Sequence, residues 1–325
     1  MSYFSDVERD LVVVERTALT GDIVAFDLAS PNGRDLPAWT PGSHLDVILP
    51  DADGTGPVER QYSLCGDTVE RGRWRIAVLR ETGGRGGSVR VHDELAVGAR
   101  VRVRGPRNHF PFEVTPGTSY RFVAGGIGIT AIRAMAVAAE AAGAEWELDY
   151  AGRTRSGMAF ATELADAFGD RVRIHAADEG ARLDIDALTA SLDDRTAVFA
   201  CGPKRMLDAL DAGVDERALH VERFEAKEFG EPVWPGPFEV ELAMSGDVVV
   251  VSPEQSVLDA IREQSPDTLV LSSCRRGTCG TCEVPVLEGD IEHRDSVLTP
   301  IEQRDSTVMM VCVSRAACER IVLDL

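Results

Sequence analysis

Four cysteines near the end of the chain have the types and the spacing to hold a metal cluster. Cys274, Cys279 and Cys282 stand in the run CRRGTCGTC, and Cys312 follows in MMVCVSR. A [2Fe–2S] cluster needs four thiolates, two per iron, and C-x4-C-x2-C with a distant fourth cysteine supplies them from one tight loop and one returning segment. Gly277 and Gly280 let backbone N–H groups approach the cluster sulfurs and spread their charge. Structural zinc generally uses paired C-x2-C knuckles, and only one such pair is present. Unrelated buried cysteines are the remaining reading. Cys318 falls outside the pattern and reads as a packing residue.

Other groups of residues could also do chemistry. Gly83-Gly84-Arg85-Gly86-Gly87-Ser88 precedes a short helical pattern, so its open N–H groups make an anion cradle, with Arg85 and Ser88 adding a cation and a hydroxyl. Gly125-Gly126-Ile127-Gly128-Ile129-Thr130 follows an apolar strand and opens a helix, the context a dinucleotide loop requires, although it departs from G-x-G-x-x-G. Taken alone, the first is an ordinary glycine-rich loop. Arg60-Gln61-Tyr62-Ser63-Leu64, taken alone, is a strand with outward Arg and Tyr. Cys201, before Gly202 and Pro203, is on its own a buried strand-end cysteine.

Those groups must be positioned by three segments. Short strand-like runs with turn signals between them fill the first third: Asp10–Glu15, Ile23–Leu28, His44–Leu49, Gln61–Cys65, Trp74–Leu79 and Arg100–Arg104. PNG at 31–33 and DADGTG at 51–56 are the turns, and a short helix is expected near Gly87–Leu95. From Thr118 strand alternates with helix through Leu219–Arg223, which predicts a parallel sheet with helices on both faces. The Pro/Gly-rich stretch 228–237 reads as a linker, followed by a hairpin, a helix at Val257–Glu263 and the cysteine loop. We therefore expect three domains, 1–113, 114–228 and 229–325: an antiparallel β-barrel, an α/β parallel-sheet nucleotide-binding domain, and an α+β β-grasp domain.

The tail, from SSCRRGTCGTC through GDIEHRDSVLTPIEQ to VMMVCVSRA, resembles the plant-type ferredoxin domain of the phthalate dioxygenase reductase family, which includes vanillate O-demethylase reductases. Residues 60–64 then match that family's R-x-Y-S flavin motif, and 125–130 its GGxGxT nicotinamide loop, with Ala131 where the family usually has Pro. The resemblance implies that Arg60 meets the flavin phosphate, Tyr62 lies on the ring and Ser63 bonds near N5, with Gln61 in the same strand. Arg85, Gly86, Gly87 and Ser88 complete the phosphate cradle. It places Gly125, Gly126, Gly128 and Thr130 at the dinucleotide, Arg153 near its adenosine half, and Cys201, Gly202 and Pro203 beside the nicotinamide. Phe224, in ERFE, would cover the flavin, or simply pack. Ser63, Cys201 and Phe224 are the implied catalytic residues, and Cys274, Cys279, Cys282 and Cys312 the cluster ligands. Relatives with a C-terminal ferredoxin domain use FMN, so FMN is expected over FAD, and family precedent favours NADH.

Nicotinamide yields two electrons together and an iron–sulfur cluster accepts one, so a flavin must stand between them. The implied function is an NADH-dependent reductase for a Rieske-type oxygenase, an aromatic dioxygenase or O-demethylase; a cytochrome P450 is the alternative acceptor. The composition agrees. Among 325 residues, 34 basic and 54 acidic residues leave a charge of −20, which disfavours nucleic acid and anionic membranes. No apolar run is long enough to span a bilayer, and MSYFSDVERDLVVVERT shows no export signal, so a cytoplasmic protein is expected, with family precedent for a monomer. From Pro237 onward, 7 basic residues face 16 acidic ones, net −9, so an acidic docking face is a reading beside plain solubility.

Overall fold

The computed structural model describes residues 7–51, 54, 56–305 and 307–325. Residues 1–6 of the N-terminal reading, and 52, 53 and 55 of the DADGTG turn, lie outside the described residues. The chain divides into two compact units, Met1–Glu222 and Arg223–Leu325. Among the described residues no helix is long and apolar enough to cross a membrane.

In the first unit, β1 (Glu8–Ala18), β2 (Ile23–Ala29), β3 (Ser43–Leu49), β4 (Val58–Ser63), β5 (Arg73–Leu79) and β6 (Arg100–Asn108) form an antiparallel sheet ordered β4-β3-β6-β1-β2-β5. A bridge between Leu64 and Ile76 joins the two edges, so the sheet closes as a barrel. Alternate residues fill it, including Leu11, Phe26, Leu45, Trp74, Ile76 and Val103. Helix α1 (Gly87–Glu94) follows β5. β4 begins three residues before the expected Gln61, because cross-strand pairing with β3 from Leu49↔Val58 to His44↔Ser63 supplies bonds to a VER stretch that has no alternation of its own.

The parallel sheet is built from β7 (Ser119–Gly125), β8 (Glu145–Gly152), β9 (Val172–Ala176), β10 (Thr196–Cys201) and β11 (Leu219–Glu222), ordered β11-β10-β7-β8-β9. α2 (Ile129–Ala141) is Ala-rich, and Ile129, Ile132, Met135, Ala136 and Ala139 recur at helical spacing on its buried face. α3 (Ala161–Phe168) adds Leu164 to the same core. α4 (Ile185–Ala190) and α5 (Lys204–Gly213) bury Leu188, Leu207 and Leu210 against Val123, Val198 and Ala200. The chain leaves β7 for β8 and β9, then returns to β10 on the other side of β7. The crevice between the carboxyl ends of β7 and β10 is therefore the switch point where such sheets bind ligands. Phe110 and Phe112, just past β6, join Tyr120, Phe122 and Phe199 in one aromatic cluster, with Phe112 5.0 Å from Tyr120 and 5.1 Å from Phe199. That shared core makes barrel and parallel sheet one unit.

The second unit opens with the hairpin β12 (Phe238–Leu242) and β13 (Val248–Val251), then α6 (Val257–Gln264), capped by Ser256 Oγ, which accepts from Asp259 N at 3.1 Å. β14 (Glu283–Glu288), β15 (Ile291–Glu292), α7 (Pro300–Asp305), β16 (Val308–Met310), β17 (Arg315–Ala316) and β18 (Arg320–Leu323) follow. The main sheet runs β13-β12-β18-β14-β16, with β12 parallel to β18, and β15 pairs with β17. A mixed sheet holding one main helix is the β-grasp arrangement. Leu258 and Ile261 of α6 pack on Val240, Val251 and Ile321.

Candidate functional site

At the switch point two glycine loops meet backbone to backbone. A Cβ on Gly125 would lie 2.5 Å from Pro203 Cδ, and one on Gly128 would lie 2.2 Å from the Cys201 carbonyl oxygen. Only glycine allows this approach. Gly126, at φ 54°, has open space around its Cα, as the segment Gly126–Gly128 makes one 3-10 turn before α2. Tyr150 Oη donates to the Gly126 carbonyl at 3.2 Å and fixes the turn to β8. Thr130 Oγ1 donates to Ile127 O at 2.9 Å, so this hydroxyl caps the turn. Gly125, Gly126, Gly128, Cys201, Gly202 and Pro203 are thus brought together.

The two motifs expected at the flavin phosphate also converge, although 25 residues separate Arg60 from Arg85. The Arg60 guanidinium donates to Arg85 O at 3.0 Å, and a Cβ on Gly87 would lie 2.3 Å from Arg60 Nε. Gly86, at φ 76°, precedes α1, whose first turn holds no acidic residue and no capping side chain. A cation and open backbone N–H groups therefore face one place, a donor set suited to a phosphate. Ser88 Oγ accepts from Glu81 N at 3.0 Å. Burial pushes the Tyr62 hydroxyl pKa up, so the phenol stays neutral. Gln61 Nε2 donates to Asp46 Oδ1 at 2.6 Å, in a buried set where Arg107 also meets Asp46 at 2.6 Å. Its amide is engaged within the barrel.

Ser63 ends β4 and is buried. Its hydroxyl hydrogen-bonds Glu222, the last residue of β11, whose carboxyl pKa is pushed up to about 8 by burial, with the Ser63 bond working the other way. Glu222 Oε2 is buried with no hydrogen-bond partner among the described residues. Cys201 stands beside Glu222 in register, fully buried, its thiol pKa raised by burial and by that carboxyl. Ser63, Cys201 and Glu222 thus meet where barrel and sheet join, and burial there lets a neutral acid hold a proton. Glu222 has no expected role from sequence; its signals are its place at the head of the ERFE segment and an acid at the carboxyl end of the last parallel strand. Arg153 lies just past β8, exposed, and its carbonyl accepts from Asp178 N at 3.1 Å. Phe224 is 44% exposed and follows the division between the two units.

In the second unit Cys274, Cys279, Cys282 and Cys312 are all buried. Their thiols hydrogen-bond one another: Cys279 and Cys312 hold the Cys274 pKa low, while Cys274 and Cys282 hold that of Cys312 high. Four buried sulfurs this close cannot all ionise without a cation among them, so the donor set fits a thiolate-bound iron cluster. Arg276 N and Thr278 N point at Cys274 Sγ from 3.3 and 3.4 Å. Gly277, at φ 68°, leaves room for the loop against Asp295 and Val313; a Cβ there would lie 2.5 Å from Val313 Cγ2. Asp295, wholly buried, accepts from Val297 N and Leu298 N at 3.1 and 2.8 Å and from Ser314 Oγ at 3.4 Å. Burial raises its pKa, but His293 and the Leu298 N–H outweigh that and hold it low. Cys318 is half-buried and accepts from Asp290 N at 3.3 Å, away from the cysteine set.

Known proteins agree with both halves. The family "Oxidoreductase FAD-binding domain" matches residues 10–112, and "2Fe-2S iron-sulfur cluster binding domain" matches 240–317. Phenoxybenzoate dioxygenase subunit beta of Ectopseudomonas oleovorans is 40% identical over 308 residues, 94% of this chain and 93% of its own. The solved phthalate dioxygenase reductase is 35% identical, with a TM-score of 0.68 over 98% of each chain. A structure of an intact type IV self-sufficient cytochrome P450 monooxygenase is 44% identical with a TM-score of 0.89; this chain matches over 98% of its own length and spans only 41% of that one. The chain belongs to the phthalate dioxygenase reductase family, flavin- and [2Fe–2S]-dependent oxidoreductases that draw on NAD(P)H.

Proposed function

We propose that this chain is the NADH-dependent reductase component of a Rieske-type oxygenase, with FMN as its flavin. The observation that carries the reading is the buried junction where Ser63, Glu222 and Cys201 meet, in a chain that also holds a four-thiol loop. When bound, the flavin accepts a hydride and the iron–sulfur cluster takes electrons singly, which together supply the two-to-one conversion.

The residues have distinct tasks in this reading. Arg60, Arg85, Gly86, Gly87 and Ser88 bind the flavin phosphate, and Tyr62 and Phe224 serve the ring. Gly125, Gly126, Gly128, Gly202 and Pro203 let the dinucleotide approach the backbone, and Cys201 keeps its neutral thiol against the nicotinamide. Ser63 and Glu222 hold and move the proton that arrives with the hydride and must leave once the electrons have gone. Cys274, Cys279, Cys282 and Cys312 hold the iron. Segments 1–113, 114–228 and 229–325 are the working domains. Domain order supports FMN. Asp178, whose carboxylate accepts from Arg155 N at 3.0 Å, supports NADH, because an anion fixed at that turn would repel a 2′-phosphate near Arg153. Cysteines that form no disulfide among the described residues suit the cytoplasm, where thiols stay reduced, and we take the chain to act as a monomer.

The test couples purified protein and NADH to a panel of Rieske oxygenases and identifies acid-released flavin by chromatography. Product formation with at least one oxygenase and release of FMN are expected; FAD, or turnover with none of the panel, overturns the corresponding part. The likeness to the P450 fusion favours a second reading, in which a P450 is the acceptor, and the same assay with P450 partners separates the two.

A further inference from the structure

The segment 272–282, which carries three of the four cysteines, holds two charged side chains, and both are arginines. Arg275 and Arg276 are exposed, whereas Cys274, Cys279 and Cys282 are buried. Arg262 on α6 is exposed as well and donates to Ser272 Oγ at 2.6 Å, which brings a third guanidinium to the start of the loop. This local charge opposes its surroundings. From Pro237 onward there are 16 acidic residues and only 7 basic ones, and three of those seven gather here. Of the other four, Arg315 is buried, Arg294 and Arg320 are paired with Glu292 and Glu241, and Arg304 is exposed on α7.

The backbone gives a second sign. Arg275 sits at φ 54°, a left-handed conformation that glycine takes readily and arginine does not. Gly277, at φ 68° two residues on, shows the residue such a position ordinarily takes. An arginine held there at a conformational cost points to a use for its side chain. Asp259 pairs with Arg275 and offsets part of its charge. The Arg276 guanidinium makes no ion pair among the described residues, so its charge is open to a visitor.

We propose that Arg262, Arg275 and Arg276 form a basic rim on the cluster loop that docks an acceptor protein through carboxylates bordering that protein's own redox centre. The inference rests on the reading that the chain hands electrons to a separate protein. Electron transfer weakens steeply with distance, so an acceptor must lie against the loop covering the cluster. The whole-chain charge of −20 repels an acidic partner at long range. Within a Debye length, about 8 Å at physiological salt, the rim dominates and sets register and partner choice. The docking face is thus locally basic on an acidic domain, the reverse of what net charge alone implies.

Binding is read without turnover. Oxidised holoenzyme is titrated calorimetrically with acidic cytochrome b5 and, separately, basic cytochrome c. Arg276→Glu should weaken cytochrome b5 binding about fivefold, the worth of one contact ion pair in water, and leave cytochrome c binding unchanged or tighter. Arg276→Lys should keep most of the affinity. Cluster absorbance and the rate of flavin reduction by NADH should match wild type. Arg195→Glu, the same charge change beside the amino-terminal edge of the parallel sheet, should have little effect. Equal losses in Arg195→Glu and Arg276→Glu would make this net charge alone and overturn the rim. So would unchanged cytochrome b5 binding, or a slower flavin-to-cluster step with binding intact. No oxygenase takes part, so a failed oxygenase assay counts against the functional reading, while a failed titration counts against the rim.

Discussion

The Ser63 hydroxyl, at the end of a barrel strand, hydrogen-bonds the Glu222 carboxyl at the end of an outer strand of the parallel sheet. The two residues are far apart in sequence and lie in different sheets, so the bond exists only because the shared aromatic core brings those sheets together. Burial leaves the acid protonated near neutrality and gives this junction a proton to manage.

That acid makes stability depend on pH. Glu222 has its pKa raised from 4.5 to about 8, so the folded protein binds more protons than the unfolded chain between those values. Stability attributable to this group is therefore greatest below 4.5 and falls as pH rises to about 8, then levels off. Glu222→Gln removes the slope. Its thermal unfolding midpoint should exceed wild type at alkaline pH, and the gap should close on acidification. Parallel curves across the range would show that Glu222 is ionised in the fold.

Ser63→Ala removes the hydroxyl and leaves Glu222 without its partner. Loss of one hydrogen bond to a reacting group costs about tenfold in rate, so stopped-flow reduction of the flavin by NADH should slow by that order. Iron and flavin content should hold. A normal rate would take Ser63 out of the hydride step.

Gly87→Ala tests the phosphate cradle. The added methyl would lie 2.3 Å from Arg60 Nε, so the guanidinium must swing away from the loop. A charge-assisted hydrogen bond is worth about 2 kcal/mol, roughly thirtyfold in affinity. Flavin should dissociate on dilution or gel filtration where wild type retains it, with far-UV circular dichroism unchanged. Retention of flavin at wild-type affinity would place the phosphate elsewhere.

Cys279→Ser separates the carriers. Losing one of four thiolates should abolish the visible iron–sulfur bands and cytochrome c reduction, while NADH still bleaches the flavin at close to the wild-type rate. If bleaching disappeared in folded, flavin-loaded protein, the assigned order of carriers would be wrong.

What could be read in advance divides by range. Arg60, Gly87, the GGIGIT loop and the cysteine spacing are local patterns whose chemistry depends on neighbours in sequence, and the structure brings together the residues those patterns single out. Glu222 is different. An acid at a strand end looks like a solvated terminus until the barrel covers it. Asp295 likewise looks like a turn residue in HRDSVLT, and its burial comes from Gly277 and Ser314, 18 residues before it and 19 after it. Arg275 and Arg276 are visible in the loop sequence, where they read equally as steering a partner or as solvating the loop, and a domain-wide count of charge averages them into sixteen acids.

Asp295 joins the two parts of the cysteine set. Its backbone lies against Gly277 in the three-cysteine loop, the neighbouring Ser296 N donates to Gly277 O at 2.7 Å, and its carboxylate meets Ser314, two residues beyond Cys312. Asp295→Ala would leave the part-buried Val297 and Leu298 N–H groups without their acceptor, at about 1 kcal/mol each. The loop and the Cys312 segment should then separate more readily. We expect the cluster to bleach several-fold faster under chelator or mild heating, with flavin content unaffected. Asp295→Asn keeps one oxygen acceptor and should fall between the two proteins. If the alanine protein kept its cluster as long as wild type, the tie through Gly277 alone would hold the cysteines, and the carboxylate would have no part in positioning them.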